Sequence, residues 1–263
     1  MTPFSPDTAL RFINGQYLPL TQGRGREVLD PATLQPVGQV GLCGDADVQA
    51  AVDAANAAQR QWRQVDAKSR AALLHQLANA LEQNTACNRE VARLMTLEMG
   101  KPFAEAMGEL ANCAPIFRYY AEMARDDAGK VAGTTQIGSF QHVRYEPYGV
   151  SVHIMPFNFP ILLMCWTVAA SLAAGNACII KPAEATTLCT LKFMEHFTTL
   201  APGLVSCVPG DATTAQALVK SSGTHAVAFT GSVAAGKAVA VACAEQMKPC
   251  VIEAGGSDPM IIS

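Results

Sequence analysis

An acidic residue directly before two glycines is the first candidate for chemistry in this chain. Residues 251–256 read Val-Ile-Glu-Ala-Gly-Gly. An acid that ends a buried strand lies at the carboxyl edge of its sheet, where open α/β folds bind ligands, so Glu253 is a candidate general base. The glycines let a ligand approach the backbone closely. A solvated turn residue is the alternative, and residues 251–256 alone do not decide between the two.

A strand-to-helix segment over residues 229–237, Phe-Thr-Gly-Ser-Val-Ala-Ala-Gly-Lys, is the second candidate. The first turn of such a helix offers backbone N–H groups and the positive end of the helix dipole, which together with the Ser232 hydroxyl suit a pyrophosphate. An ordinary serine-capped helix is the alternative. The chain has no Gly-x-Gly-x-x-Gly, so a binding mode other than the common dinucleotide fingerprint is required.

Lys181 and Glu184 form the third candidate, in the segment Ile-Ile-Lys-Pro-Ala-Glu over residues 179–184. Both side chains follow a predicted strand. An ammonium and a carboxylate at that edge could hold ribose hydroxyls, with the acid in the part of the usual ribose-binding Asp or Glu. A surface salt bridge is the alternative.

Asn158 is the fourth candidate, in the segment Pro-Phe-Asn-Phe-Pro over residues 156–160. The two prolines stiffen the turn and hold the Asn158 amide in place as a hydrogen-bond donor. Such a donor, aimed at a developing oxyanion, contributes about 3 to 4 kcal/mol to a transition state. An asparagine that satisfies loop backbone is the alternative.

Short apolar runs alternate with helical segments in the second half of the chain, and these elements must position the four candidates. The predicted strands cover residues 150–155, 177–180, 205–208, 226–229 and 250–253. Such alternation implies a parallel sheet with helices on both faces. We therefore predict an α/β fold with a doubly wound, Rossmann-like parallel sheet of five strands.

The first half is predicted to be mostly helical. Residues 12–18, with Asn14-Gly15 inside them, predict a hairpin. Apolar residues at helical spacing predict an N-terminal helical layer, with stretches from Asp45, after Ser69, over residues 89–99 and over residues 103–125. Residues 126–148 contain a Gly, Thr and Asp-rich stretch and then an alternating run, which predict an exposed β arm.

Composition favours a small-molecule substrate. Half of the 263 residues are hydrophobic, the net charge is -3, and no block of Lys or Arg occurs. These values argue against nucleic acid or an anionic membrane surface as a partner. The apolar run over residues 161–174 is shorter than the ~20 residues that span a bilayer, and it predicts a buried helix.

The nine cysteines are scattered, with no Cys-x-x-Cys pair and no Cys/His cluster. We therefore predict no metal site. Reduced, mostly buried thiols in a cytoplasmic protein fit this pattern best.

The four segments in this order, each at a strand end, resemble the NAD(P)-dependent aldehyde dehydrogenase superfamily over essentially the whole chain. Residues 97–102, Leu-Glu-Met-Gly-Lys-Pro, are similar to succinate-semialdehyde dehydrogenases and their relatives. Phe157 stands where the family usually has Trp. The resemblance implies oxidation of an aldehyde to a carboxylic acid, with NAD expected and NADP disfavoured by the Glu184 charge.

The resemblance also implies roles for individual residues. Asn158 would line an oxyanion hole and Glu253 would act as general base. The cofactor would be bound by Lys181, Glu184, Gly231, Ser232, Pro156, Phe157 and Gly210. In the family, a cysteine thiolate attacks the aldehyde, and the general base activates the water that hydrolyses the resulting thioester.

The resemblance divides the chain into residues 1–125, the N-terminal part of a cofactor-binding domain; 126–148, a β oligomerisation arm; and 149–263, the Rossmann-like NAD-binding core. It implies a homo-oligomer, a dimer or tetramer, in the complete enzyme. The family's nucleophile follows the segment at 253–256, so we expect its catalytic domain to be absent here. The alternative is a truncated, inactive protein that binds dinucleotide or joins full-length subunits.

Overall fold

In the described residues, the first half of the chain folds into two hairpins, five helices and a short arm. The structure is a computed structural model that describes residues 3–21, 24–126, 129–133 and 136–262. The strands are β1 (Leu10–Ile13), β2 (Gln16–Pro19), β3 (Arg24–Leu29), β4 (Pro36–Leu42), β5 (Lys130–Ala132) and β6 (Gln141–Val143). The helices are α1 (Asp45–Trp62), α2 (Ala67–Gln83), α3 (Thr85–Met99), α4 (Phe103–Ala111) and α5 (Cys113–Asp126).

The second half forms the predicted parallel sheet. Its strands are β7 (Val150–Ile154), β8 (Ala177–Lys181), β9 (Val205–Cys207), β10 (Ala226–Gly231) and β11 (Cys250–Ala254). They lie in the order β9-β8-β7-β10-β11, and every adjacent pair is parallel. The predicted doubly wound sheet is therefore confirmed. Successive strands are added to one side of β7 as far as β9 and then, from β10, to its other side, so the strand order reverses between β7 and β10. Such a switch point is where sheets of this kind bind ligands.

The predicted N-terminal hairpin also forms, and it extends the sheet. Asn14 and Gly15 make the turn between β1 and β2 with φ of 54° and 72°. Positive φ at both positions is typical of the turns that match strand twist. β1 pairs antiparallel with β9, where Phe12 lies opposite Cys207. The described sheet is therefore mixed and has seven strands, two more than the parallel core.

Helices cover both faces of the sheet. The remaining α-helices in the described part of the chain are α6 (Pro160–Ala173), α7 (Thr187–Phe193), α8 (Ala212–Lys220) and α9 (Val233–Glu245). α6 and α7 pack on one face and α1, α8 and α9 on the other. The predicted buried helix over residues 161–174 is α6, whose outer side contacts α2 and α5. Within the described ranges, no helix is long and apolar enough to cross a bilayer.

One predicted helical stretch, residues 103–125, is two helices. The chain breaks at Asn112, between α4 and α5. Pro115 lies in the first turn of α5, and its missing N–H cannot continue the ladder of α4. The Asn112 side chain donates to the carbonyl of Gly108 at 2.8 Å and so helps to end α4.

The prediction that Glu253 ends a buried strand is wrong. Among the described residues β11 pairs only with β10, and Ile252 is its one half-buried residue while the others are exposed. α9 packs against one side of β11. In the described structure no element covers its other face or its outer edge, which is why the apolar residues around Glu253 are in contact with solvent.

The predicted β arm is a separate two-stranded sheet of β5 and β6. All residues of both strands are exposed. Residues 127, 128, 134 and 135 of the predicted arm lie outside the described residues.

A buried carboxylate connects α3 to α7. Glu98 is 4% exposed, and its two oxygens accept hydrogen bonds from the backbone N–H groups of Leu188 and Cys189, each at 2.7 Å. These N–H groups belong to the first turn of α7, where an acid is favoured by the helix dipole. α7 begins directly after the turn that carries Glu184, so Glu98 fixes the position of that turn from behind.

Burial raises the pKa of the Glu98 carboxyl from 4.5 to about 7, although the backbone hydrogen bonds oppose the shift. Between those pH values the folded chain holds a proton that the unfolded chain has lost. The free energy of unfolding should therefore fall as pH rises from about 4.5 to about 7, by about 3 kcal/mol from this one group.

Urea titration between pH 4 and pH 8 measures this effect. We expect Glu98→Gln to remove most of the decline with pH. Glu90→Gln, at a half-buried acid on the same helix that pairs with Arg93, should leave the decline in place, because the pKa of Glu90 is lowered and its titration falls at more acidic pH. Parallel pH profiles for wild type and Glu98→Gln would contradict the assignment.

Candidate functional site

The four predicted site segments and Gly210 lie side by side at the carboxyl edge of the parallel sheet. Each follows one of five strands that neighbour each other in the described sheet. Gly210 follows β9, Lys181 ends β8, Asn158 follows β7, Ser232 follows β10, and Glu253 lies near the end of β11. The fold therefore brings together residues that are scattered over a hundred positions of sequence.

Lys181 is a buried cation at the wall of a cavity. The cavity has a volume of about 690 Å³ and lies between α8 and α9. Its lining is mostly apolar, with the polar side chains of Lys181, Glu184, Gln216, Lys220, Lys237 and Glu245. Lys181 is 7% exposed, and its ammonium has no hydrogen-bond or ion-pair partner among the described residues. Burial lowers the pKa of Lys181, and the nearby carboxylates of Glu184 and Asp211 act in the opposite direction.

Glu184 forms an ion pair that the sequence did not indicate. It begins a 3-10 turn, Glu184–Thr186, and its carboxylate pairs with the guanidinium of Arg26 on β3. The two side chains are 35% and 60% exposed. The alternative interpretation of Glu184 as a salt-bridged surface residue is thus partly correct, since this carboxylate both lines the cavity and has a cationic partner.

Ser232 caps α9 at the edge of the cavity. Its hydroxyl accepts a hydrogen bond from the backbone N–H of Ala235 at 3.3 Å. Phe229 packs beneath this turn so closely that a Cβ added at Gly231 would lie 2.7 Å from its ring. A larger residue at position 231 would therefore displace the ring or the turn. The interpretation as a serine cap is correct, and other N–H groups of the first turn stay available to an anion.

The turn after β7 presents Asn158 to solvent. Pro156 is half-buried and Phe157 is 58% exposed. The Asn158 Oδ1 atom accepts a hydrogen bond from the N–H of Phe159 at 3.0 Å. That oxygen thus satisfies loop backbone, as the alternative held, whereas the Asn158 Nδ2 group has no hydrogen-bond partner in the described part of the chain. Nδ2 is the donor that a ligand could use.

Gly210 and Glu253 complete the edge. Gly210 connects β9 to α8, and a Cβ there would lie 2.0 Å from the Thr214 hydroxyl, so only glycine fits. Glu253 is exposed and lies opposite Thr230 in the register of β10 and β11. Gly255 continues that pairing, because its N–H donates to the carbonyl of Gly231 at 3.2 Å.

The thiols of the chain are poor candidates for a nucleophile. All nine cysteines are free, eight are buried, and Cys250 is exposed. Burial raises the pKa of Cys43, Cys87 and Cys178 to about 12 and that of Cys243 to about 11. A reactive thiol needs a lowered pKa, because the thiolate is the attacking species.

Two charged residues escaped the sequence reasoning for different reasons. Val91, Leu94, Met95 and Glu98 follow helical spacing, so an acid on the apolar face of α3 was a readable signal. Arg26 gave no signal, because it meets Glu184 across 158 residues of sequence.

Comparisons with known proteins identify the family of this chain. Residues 19–263 match the model of the aldehyde dehydrogenase family. Geranial dehydrogenase of Castellaniella defragrans is 35% identical over 256 residues, which are 95% of this chain and 53% of that protein.

Solved structures give the same result. An aldehyde dehydrogenase of Bacillus cereus in complex with NAD+ has a TM-score of 0.90 at 32% identity, over 98% of this chain and 53% of that one. PnpE of Pseudomonas sp. WBC-3 has a TM-score of 0.87 at 32% identity, over 95% of this chain and 51% of that one. The chain thus spans about half the length of the relatives that it matches. On the matched residues and the fold together, the chain belongs to the aldehyde dehydrogenase family.

Proposed function

We propose that this chain binds NAD in the cavity between α8 and α9, with the adenosine ribose at Lys181 and Glu184. The observation that supports this most directly is Lys181 itself. Its side chain is largely buried, and its ammonium has no protein partner among the described residues, so a ligand in the cavity could supply acceptors for it. Ribose hydroxyls would supply them, and the apolar wall of the cavity suits an adenine ring.

The pyrophosphate would lie at the start of α9. The Ser232 cap uses one first-turn N–H, that of Ala235, and the dipole of α9 favours an anion. Gly231 lets the backbone approach the ligand, and Gly210, Pro156 and Phe157 flank the same edge. The bound cofactor would accept the hydride, and Lys181, Glu184 and Ser232 would bind and orient it.

We propose further that this chain would contribute the cofactor-binding half of an enzyme that oxidises an aldehyde to a carboxylic acid. Asn158 Nδ2 would stabilise the developing oxyanion and Glu253 would activate water. Cys250 is the exposed thiol nearest to Glu253, but side chains three apart on a strand point to opposite faces. The burial of the other eight thiols favours a nucleophile outside these 263 residues.

The first test of this proposal is a calorimetric titration of the chain with NAD. We expect Lys181→Met to weaken binding at least about tenfold, because a hydrogen bond to a charged group is lost. Wild-type affinity should also fall at alkaline pH, earlier than for an ordinary lysine, because the pKa of Lys181 is lowered.

Lys248→Met is the matched control. Burial also lowers the pKa of Lys248, but its ammonium donates to the carbonyls of Val219 and Ser221, at 2.6 and 2.5 Å. NAD affinity that changes equally in both variants, or in neither, would count against the proposed ribose site.

Discrimination between NAD and NADP is the second test. A 2′-phosphate would approach the Glu184 carboxylate, so we propose that NAD is preferred. Since Arg26 compensates that charge and both side chains are partly exposed, we expect a preference of only about tenfold.

Two variants should change this preference in opposite directions. Glu184→Gln should bring the affinities for NAD and NADP together, whereas Arg26→Gln should separate them further by leaving the carboxylate uncompensated. Tighter binding of NADP than NAD by the wild type would show that Lys181 and Arg26 dominate instead.

We also propose that the hairpin of β5 and β6 pairs with a second copy of the chain. Val131, Phe140 and Val143 are 74%, 75% and 50% exposed on this hairpin. Exposed apolar side chains grouped on one small sheet favour association.

Light scattering at tens of micromolar tests this pairing. We expect a particle mass above that of one chain, and a lower mass for the double change Val131→Lys with Val143→Lys. Met123→Lys, an exposed apolar site on α5, is the control and should leave the mass unchanged. A wild-type monomer would refute the proposal.

A further inference from the structure

We propose that Lys101, together with Glu109, is a positioning residue for the Asn158 turn. This inference rests on the proposed oxyanion role of Asn158. Lys101 belongs to residues 97–102, the segment that is similar to succinate-semialdehyde dehydrogenases. The proposal gives this segment a positioning role at the site.

Lys101 contacts the turn directly. It is 7% exposed, and its ammonium donates to the backbone carbonyl of Asn158 at 2.6 Å. The same ammonium lies 3.8 Å from the centroid of the Phe159 ring, a favourable cation–π distance. One buried cation thus holds both the carbonyl of the candidate donor residue and the side chain that follows it.

Glu109 connects Lys101 to the start of α6. Its side chain is fully buried on α4 and pairs with the Lys101 ammonium at 2.5 Å. Its other oxygen accepts hydrogen bonds from the N–H groups of Ile161 and Leu162, at 2.9 and 3.0 Å. These are first-turn N–H groups of α6, which otherwise would have no partner in the helix.

Lys101 and Glu109 hold the turn at its two ends. Lys101 fixes the carbonyl of Asn158, and Glu109 fixes the helix that begins two residues later. The Asn158 side chain is itself held through its Oδ1 atom by the N–H of Phe159. Only the Nδ2 group is left, and its direction is set by this chain of contacts.

A buried ion pair of this kind is weak evidence for stability, since the loss of hydration offsets the attraction. Positioning is the stronger explanation. If the pair were only structural, its loss should destabilise the whole chain and affect all parts of the ligand site alike. If it positions the turn, the loss should be local.

Hydrogen–deuterium exchange on the 263-residue chain measures this locality. We expect Lys101→Met to speed exchange in peptides covering residues 156–163 by about tenfold, with little change around α8 and α9. Lys101→Arg keeps the cation, so the same peptides should retain most of their protection from exchange. Lys248→Met, which removes a lysine bonded to carbonyls at the other end of the sheet, is the matched control.

The ratio of NAD affinity to ADP-ribose affinity is a second measurement, and a purely structural role of Lys101 would leave this ratio unchanged. The nicotinamide must lie near the oxyanion that Asn158 would stabilise, whereas the proposed adenosine contacts are Lys181 and Glu184. We therefore expect Lys101→Met to weaken NAD binding several-fold more than ADP-ribose binding. Glu109→Gln keeps an acceptor for α6 and loses the charge that pairs with Lys101. It should give an intermediate result, and it replaces Lys101→Met if that variant does not fold.

The outcomes separate the two hypotheses. Unchanged exchange over residues 156–163, or equal losses of NAD and ADP-ribose affinity, would overturn the positioning role. A wild-type chain that binds neither NAD nor ADP-ribose would refute the proposed function instead, while the exchange data would still decide whether Lys101 holds the turn.

Discussion

Parallel pairing of five adjacent strands is the constraint on which the candidate site depends. In a parallel ladder all carboxyl ends face one edge, so the loops after β7, β8, β9, β10 and β11 must meet there. The ladder also links the loops directly: the N–H of Met155 donates to the carbonyl of Lys181 at 3.0 Å, so the start of the Asn158 turn is bonded to the end of β8. Displacing either strand would move both candidates.

Buried charges hold the loops that the ladder brings together. Glu98 caps α7 and Glu109 caps α6, and both acids project from helices of the N-terminal half. Each satisfies two backbone N–H groups that a helix start leaves unpaired. The N-terminal helices are therefore more than a cover for the sheet. They hold from behind the two turns that carry Asn158 and Glu184, and a shift of α3 or α4 would reach the ligand edge.

The edge occupied by β11 differs from the rest of the sheet. Glu253 lies on an exposed strand that only β10 and α9 support in the described residues. Lys181, by contrast, is 7% exposed and lines the cavity. The proposed cofactor side of the site is thus packed within this chain, whereas the proposed general base has little packing around it. This difference matches a chain that spans about half the length of its relatives.

Local patterns in the sequence predicted the α/β class, the five parallel strands and the candidates at their ends, because strand and helix periodicities and strand-end motifs are local signals. Glu98, an acid on an apolar helical face, was a readable signal of the same kind that was not predicted. That β1 joins β9, that β11 is exposed and that Arg26 pairs with Glu184 emerged from the tertiary structure alone. These features depend on contacts between distant segments and on which elements lie beside a strand, and local patterns carry no information about either.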